Sequence, residues 1–528
     1  MQGRHDRSRA DVDPAAVDRR TFLRWAATAT SAAALAPHLV GRALAAGPTV
    51  VEATIAQLQA AMTAGQLTAH DLVGQYVQRI QQLDRQGPTV NSVLELNPDA
   101  AAIAAQLDAE RARGMVRGPL HGIPVLLKDN IDTSDRMQTA AGSLALVGQP
   151  PVQDSTVAAR LRLAGAVILG KTNLSEWANF RSTHSISGWS ARGGQCHNPY
   201  VLTRSPSGSS SGSAAATSAS FCAASLGTET DGSIVSPASA NGVVGIKPTV
   251  GLTSRAGVVP ISHTQDTVGI HGRTVADAAA LLGPLTGPDP RDPATQNPAA
   301  RTFPDYTQFL DAGALRGARI GVARSNGFGN SSSVDAIMTR AIRAMTGAGA
   351  VVVDPANIPT QGQLGGRTET TVLLFEFKHD LDAYLSTRVG VPIGTLADAI
   401  AFDQAHAAQE LALFGQELFQ QAQAKNDLSD PAYRSALSRS LSLSRQQGID
   451  RVMTDQRLDA LVAPTAFSST PSAQAGYPIV TVPAGFSSRL PVNISFIGQA
   501  FSEARLVALA FAFEQLTMAR RPPTFAPS

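Results

Sequence analysis

Apolar positions along this chain first recur at spacings of three and four. In "TAHDLVGQYVQRIQQLDRQGP", Leu72, Tyr76, Ile80 and Leu83 share one helical face and Gly87–Pro88 stops the run, so residues 52–86 are read as helical. A second helix is expected from Asn97-Pro98, a polar cap followed by a proline suited to the first turn, to Gly114. The pattern then changes. "GIPVLLKDN" (122–130) is a short apolar run ending in charge, and it predicts a buried strand that delivers Lys128 to its end. "DSTVAARLRLAGAVILGKTN" (154–173) predicts a capped helix, a glycine turn and a strand over "AVILG". This alternation of strand and helix signals an α/β fold.

Further on, the Ala-rich "SAAATSASFCAASLG" (213–227) predicts a buried helix and "GVVGIKPTVG" (242–251) another strand. Helix-forming sequence dominates from about 333 to 458. Strands are expected at 458–464 and 478–486, and a closing apolar helix at 502–519 with Ser502 as its cap. Strands occur early and late with no long polar linker between them. Residues 46–528 are therefore read as a single domain whose two ends share a sheet, with the Pro/Asp-rich stretch 286–305 as a surface loop.

Composition supports a large core: 43% of the 528 residues are hydrophobic and 16% charged. The net charge is +2 and the body of the chain has no Lys/Arg-rich run, which argues against a nucleic-acid partner. "DRRTFLR" (18–24), the weakly apolar "WAATATSAAALA" and "ALAAG" (43–47) are similar to a twin-arginine export signal cut after Ala45. The apolar run is shorter than the roughly 20 residues of a spanning helix, so no membrane attachment is expected after cleavage. Without residues 1–45, which hold seven Arg and four Asp, the charge is −1. The expected location is extracytoplasmic, in the periplasm or beyond. Cys196 and Cys222 are read as small buried thiols. No Cys/His cluster has zinc spacing, and H-E-x-x-H, Walker and dinucleotide motifs are missing. No metal and no organic cofactor are inferred.

Candidate chemistry gathers in three places: Lys128 at a strand end, the Ser/Gly stretch 205–213, and "GTETDGSIVSPAS" (227–239) around Ser233. Small residues let the backbone approach a substrate, and successive N–H groups in such a turn converge on an anion. A nucleophilic serine needs a base, and a lysine serves if burial keeps it neutral.

Five motifs occur in order: "GIPVLLKDNID", "GKTNLSEWAN", "SPSGSSSGSAAA", "GTETDGSIVSPASANGVVGIKPTVG" and "LPVNISFIGQAFSEARL". Together the set resembles the amidase signature family, over about residues 50–520. The resemblance implies an α/β amidase signature fold, with one large mixed β-sheet covered by helices on both faces. It also implies a Ser-Ser-Lys triad without cofactor. Lys128 matches the family's lysine, Ser209 its bridging serine after a cis peptide bond from Gly208, and Ser233, 24 positions on, its nucleophile. Lys128 would take the proton of Ser209, which takes that of Ser233 as it attacks an amide carbonyl. Backbone N–H groups of Thr230, Asp231, Gly232 and Ser233 would hold the oxyanion, and Ser210 would support the loop.

Departures from the family pattern are Ser207-Gly208-Ser209-Ser210-Ser211-Gly212 for Gly-Gly-Ser-Ser-Gly-Gly, Glu229 and Asp231 in the nucleophile loop, and Val235 in place of a frequent Arg. None removes a triad member, and the Asp231 carboxylate is a candidate for shaping specificity. These variants, with "NLSEWANFRS" and "SISGWSARGG", most resemble the bacterial peptide amidases, which release ammonia from the C-terminal amide of peptides. The expected partner is a small-molecule or peptide amide substrate, and the sequence is compatible with a monomer.

Competing readings stay open. "GSSSG" (208–212) satisfies the G-x-S-x-G elbow with Ser210 as nucleophile, but "NPYVLTRSPS" before it is a poor strand. Other small, aryl or fatty amides are alternative substrates. Further alternatives are an inactive exported peptide-binding protein and the glutaminyl component of a tRNA amidotransferase, which shares the signature. Lys171 is read as structural, Trp177 and Trp189 as core, and His121, His197 and His263 as packing or hydrogen-bonding residues outside any cluster.

Overall fold

The chain is organised around one sheet that joins its two ends. The computed structural model describes residues 49–465 and 468–528; the segment 1–45, read above as an export signal, lies outside them. In chain order the strands are β1 (Val93–Leu96), β2 (Pro124–Lys128), β3 (Val167–Thr172), β4 (Trp189–Ser190), β5 (Gly194–Gln195), β6 (Ala224–Glu229) and β7 (Val244–Lys247). They continue with β8 (Thr267–Gly272), β9 (Arg319–Val322), β10 (Val351–Val353), β11 (Ala460–Pro464), β12 (Ile479–Ser487) and β13 (Leu490–Ile497). β4 and β5 pair with each other, and the remaining strands form an eleven-stranded sheet in the order β1-β3-β2-β6-β8-β7-β12-β13-β11-β9-β10.

The sheet is mixed. β2 lies between β3 and β6 and runs parallel to both. From β6 through β8, β7, β12 and β13 to β11 all neighbours are antiparallel, and β9 and β10 extend β11 in parallel. The N- and C-terminal halves meet where Lys247 of β7 faces Ile479 of β12. Helices cover both faces, among them Ser211–Ser218, Val275–Leu285 and Glu503–Thr517. A parallel strand covered on both faces is apolar throughout rather than alternating. That accounts for "PVLLK", whose five residues are all buried, Lys128 included. The helices Ser211–Ser218 and Val235–Ala240 sit where the strand ends β2 and β6 converge, and both are almost wholly buried.

Several sequence expectations change. The stretch 213–227 is not one helix: the helix ends at Ser218, Ser220 turns the chain with φ +56°, and β6 begins at Ala224. Its "ASLGTE" carries a single β-branched residue, Thr228, and otherwise small residues and Leu226, packed between β2 and β8. A Cβ on Gly227 would lie 2.6 Å from Ser210 Oγ, so only glycine fits there. Residues 52–86 form two helices, Ile55–Thr63 and Ala69–Arg79, the second running into a wider turn at Ile80–Arg85. Gly65, with φ +68°, separates them, and Thr68 caps the second by accepting the Asp71 N–H.

Asn97 does not cap the next helix: its Oδ1 accepts from Asp99 N, and the helix begins at Ala100. Ser502 does stand at the N-cap of the closing helix Glu503–Thr517, but its hydroxyl donates to Gln499 O and makes no capping bond to the helix. The largely helical 333–458 also contains β10.

A second apolar cluster lies outside the main core. Trp177 and Phe180 pack on Phe419 and Phe377, with ring centroids 5.4 and 5.1 Å apart, and tie the helix Gly366–Leu385 to the segment 140–180. Trp177 is thus a core residue. Cys196 and Cys222 are free and buried. Among the described residues no helix is long and apolar enough to cross a membrane.

Candidate active site

Three chain segments converge at the C-terminal ends of β2 and β6. β2 supplies Lys128, the loop before the helix Ser211–Ser218 supplies Ser209 and Ser210, and the turn after β6 supplies Thr230–Ser233. The Gly208–Ser209 peptide is cis. Ser210 locks the two loops together. Its hydroxyl donates to Thr228 O at 3.0 Å and accepts from Thr228 N at 3.2 Å, and its own N–H donates to Ser233 O at 3.1 Å. Close packing behind the loop comes from Gly212, where a Cβ would lie 2.3 Å from Ser92 O and 2.5 Å from Asn173 O.

Lys128 is fully buried, with Nζ 2.8 Å from Ser209 Oγ, 2.8 Å from Thr228 Oγ1 and 3.4 Å from Thr228 O. Among the described residues no carboxylate lies within ion-pair reach of this nitrogen. Burial pushes its pKa down to about 7, while the more distant Asp266 and Glu229 pull it partly back up. Nζ donates to all three oxygens, and burial without a counter-ion is what favours the neutral amine.

Ser233 is 8% exposed, and its hydroxyl is free of hydrogen bonds among the described residues. The turn that carries it is shaped by Glu229, whose Oε2 accepts the N–H groups of Ile234 (2.7 Å) and Val235 (3.0 Å). Ser236 N donates to Gly232 O at 2.8 Å. Gly232 has φ +82°, a conformation glycine adopts without strain. The preceding amides of Asp231, Gly232 and Ser233 make no hydrogen bond to described residues and remain available to an anion.

Sequence reasoning missed the residues that brace this turn. Thr230 Oγ1 donates to Asp266 Oδ1 at 2.6 Å, and Asp266 Oδ2 accepts from Ile261 N and Ser262 N. Burial raises Asp266 to about 6. Asp266 precedes β8, a strand whose "TVGIHG" has no clear alternation, so no local signal places this carboxylate near the serines. Asn130 Nδ2 donates to Thr228 Oγ1 at 3.0 Å and fixes the hydroxyl that Lys128 meets. Asp231 Oδ2 accepts from Thr470 Oγ1 at 2.7 Å, a contact 239 positions away in sequence.

Other candidates sit elsewhere. Lys171 Nζ donates to Ile131 O and Thr139 Oγ1 and holds the loop after β2. Ser210 is not placed as an elbow nucleophile: no strand precedes it, and its hydroxyl is fully buried and committed. His121 and His197 contact backbone carbonyls. His263, expected outside any cluster, instead meets His379 and Asp380, all three ligand atoms lying within 4.8 Å of one another. Asp380 already accepts a hydrogen bond from each ring. A cavity of about 430 Å³ is lined by Asp132, Arg255, His263 and Arg388 among others, and by none of the three triad candidates. Asp266 is in its wall and links it to Thr230.

Comparison with known proteins shows the family and the fold. The amidase family model matches residues 71–475, and the chain belongs to that family. It is 46% identical to a probable amidase of Arabidopsis thaliana over 485 residues, 90% of this chain and 92% of the relative. The native peptide amidase of Stenotrophomonas maltophilia superposes with a TM-score of 0.87 at 52% identity, covering 90% of this chain and 99% of that one. A peptide amidase in complex with the competitive inhibitor chymostatin gives 0.86 at 51% identity, with 90% and 99% covered. The protein is a hydrolase acting on amides.

If Lys128 is the base that the motif resemblance implies, only its neutral amine accepts a proton, and kcat/KM is expected to fall below about pH 7 with the neutral fraction, roughly tenfold per pH unit. Initial rates on a neutral amide between pH 5 and 7.5 check this; a flat profile with chemistry rate-limiting contradicts it.

Proposed function

We propose that this amidase hydrolyses the C-terminal carboxamide of peptides to a carboxylate and ammonia, through an acyl-enzyme on Ser233. The observation that carries the mechanism is the dry 2.8 Å contact of Lys128 Nζ with Ser209 Oγ, one loop away from an unbonded Ser233 hydroxyl. The Lys128 lone pair accepts the Ser209 proton, Ser209 accepts the Ser233 proton, and Ser233 Oγ bonds to the amide carbon. The amides of Asp231–Ser233 receive the oxyanion; one such donor is worth about 3 kcal/mol in a transition state. The proton returns along the relay to the leaving nitrogen, the C–N bond breaks, and ammonia departs. Water then attacks the ester with the same relay as base, and the carboxylate leaves.

The peptide substrate is supported by the 52% identity to a peptide amidase over 99% of that chain, against 35% for a component of the glutamyl-tRNA(Gln) amidotransferase of Chloroflexus aurantiacus. Ammonia release from a panel of peptide amides, fatty amides and aryl anilides tests it. Peptide amides are expected to be preferred at least tenfold in kcat/KM, about 1.4 kcal/mol of transition-state discrimination. Equal or better turnover of fatty amides or anilides contradicts the peptide reading and leaves the amidase intact.

The arginine pair and the A-x-A site support action outside the cytoplasm. N-terminal sequencing of the protein recovered from its native cell is expected to start at Ala46; a start upstream of Arg19 contradicts export by this route.

A further inference from the structure

The mechanism leaves one feature of the nucleophile turn unused: the side chain of Asp231, two positions before Ser233. Its Oδ2 accepts from Thr470 Oγ1, while its Oδ1 is buried with no donor facing it. The carboxyl group that meets it is that of Glu369, in the first turn of the helix Gly366–Leu385. Glu369 Oε1 accepts from Gln265 Nε2 at 3.0 Å, and the same Gln265 nitrogen lies 3.5 Å from Thr230 O. Two carboxyl groups thus meet at the oxyanion turn, and Asp231 Oδ1 is reached by no donor. An acceptor facing an acceptor is unsatisfied unless a proton lies between them.

We propose that Asp231 and Glu369 share one proton and act as a positioning pair, clamping the Thr230–Ser233 turn to the helix Gly366–Leu385 with a single negative charge. This inference rests on the amidase reading of that turn. The shared proton fills the vacant site on Asp231 Oδ1. It also keeps a second negative charge away from amides that must receive an oxyanion. Glu369 is accordingly raised to about 8, first by burial and then by the Asp231 charge. The charged groups acting on Asp231 from neighbouring strands are Glu229 of β6 and Lys247 of β7. Lys247 Nζ donates to Tyr477 O at 2.7 Å and does not bridge the pair, and Asp266 stands beyond Thr230. Gln265 and Thr470, the remaining contacts, are uncharged.

The sign is fixed. Below about pH 8 the pair holds its proton and one charge; above it the proton is lost, two charges repel and the turn is released. This alkaline loss is separate from the acid-side loss due to Lys128. The test is kcat/KM on a neutral peptide amide from pH 7.5 to 10, in wild type, Glu369→Gln and Asp231→Asn. Wild type is expected to fall roughly tenfold per pH unit above the transition. Glu369→Gln, which keeps a donor toward Asp231 at every pH, is expected to bring the ratio of kcat/KM at pH 9.5 to that at pH 7.5 close to one. Asp231→Asn, which keeps a donor toward Glu369, is expected to do the same. A wild-type profile that stays level to pH 10, or a fall kept at the same midpoint in both variants, overturns the pair. Absence of amide hydrolysis by wild type at any pH instead overturns the reading of the turn itself.

Discussion

Everything at this site depends on keeping the Lys128 amine dry and without a counter-ion. Depressing a lysine from 10.5 to about 7 disfavours its charged form by on the order of 5 kcal/mol. The fold imposes this by ending an apolar parallel strand on the lysine, between β3 and β6, and surrounding its nitrogen with hydroxyl and carbonyl oxygens of Thr228 and Ser209. A carboxylate at ion-pair distance would restore the charge and remove the base that the proposed relay needs. The acids of the site stand one layer back. Glu229 spends one oxygen on the amides of Ile234 and Val235, and Asp266 spends both on Thr230, Ile261 and Ser262.

Small side chains follow from the same constraint. Two serine loops from different strand ends must reach one amine, so backbone approaches backbone. Gly208, Gly212 and Gly227 mark close approaches, and Ser210 holds the loops in register through three hydrogen bonds that commit its hydroxyl. The Ser/Gly stretch, which resembles a linker in composition, is tightly packed from its second half on: Ser209 through Ser220 are buried without exception.

What can be read from the sequence follows the strength of local pattern. β2, β3, β7, β11 and β12 carry apolar runs and are legible, as is the sharing of one sheet by both chain ends. β6 reads as helix because close packing under the serines leaves it Ala, Ser and Gly with only one β-branched residue, Thr228. β8, β9 and β13 owe their strand state to neighbours in the sheet, a tertiary influence that no window of sequence reports. At the site, Lys128, Ser209, Ser210 and Ser233 are accessible through ordered motifs. Asp266, Asn130, Thr470 and Glu369 are not, because each acts across a long sequence separation and is an ordinary residue in its own segment. The His263–His379–Asp380 cluster is hidden for the same reason.

The central claim is that a proton relay from a neutral lysine activates Ser233, with Ser209 as relay and Ser210 as brace. Reaction of the active enzyme with a fluorophosphonate, followed by tandem mass spectrometry of the digested protein, tests it most directly. The account predicts a single phosphonyl adduct on Ser233, abolished by Lys128→Ala. An adduct on Ser210 or Ser209 in place of Ser233, accompanying loss of activity, would contradict it.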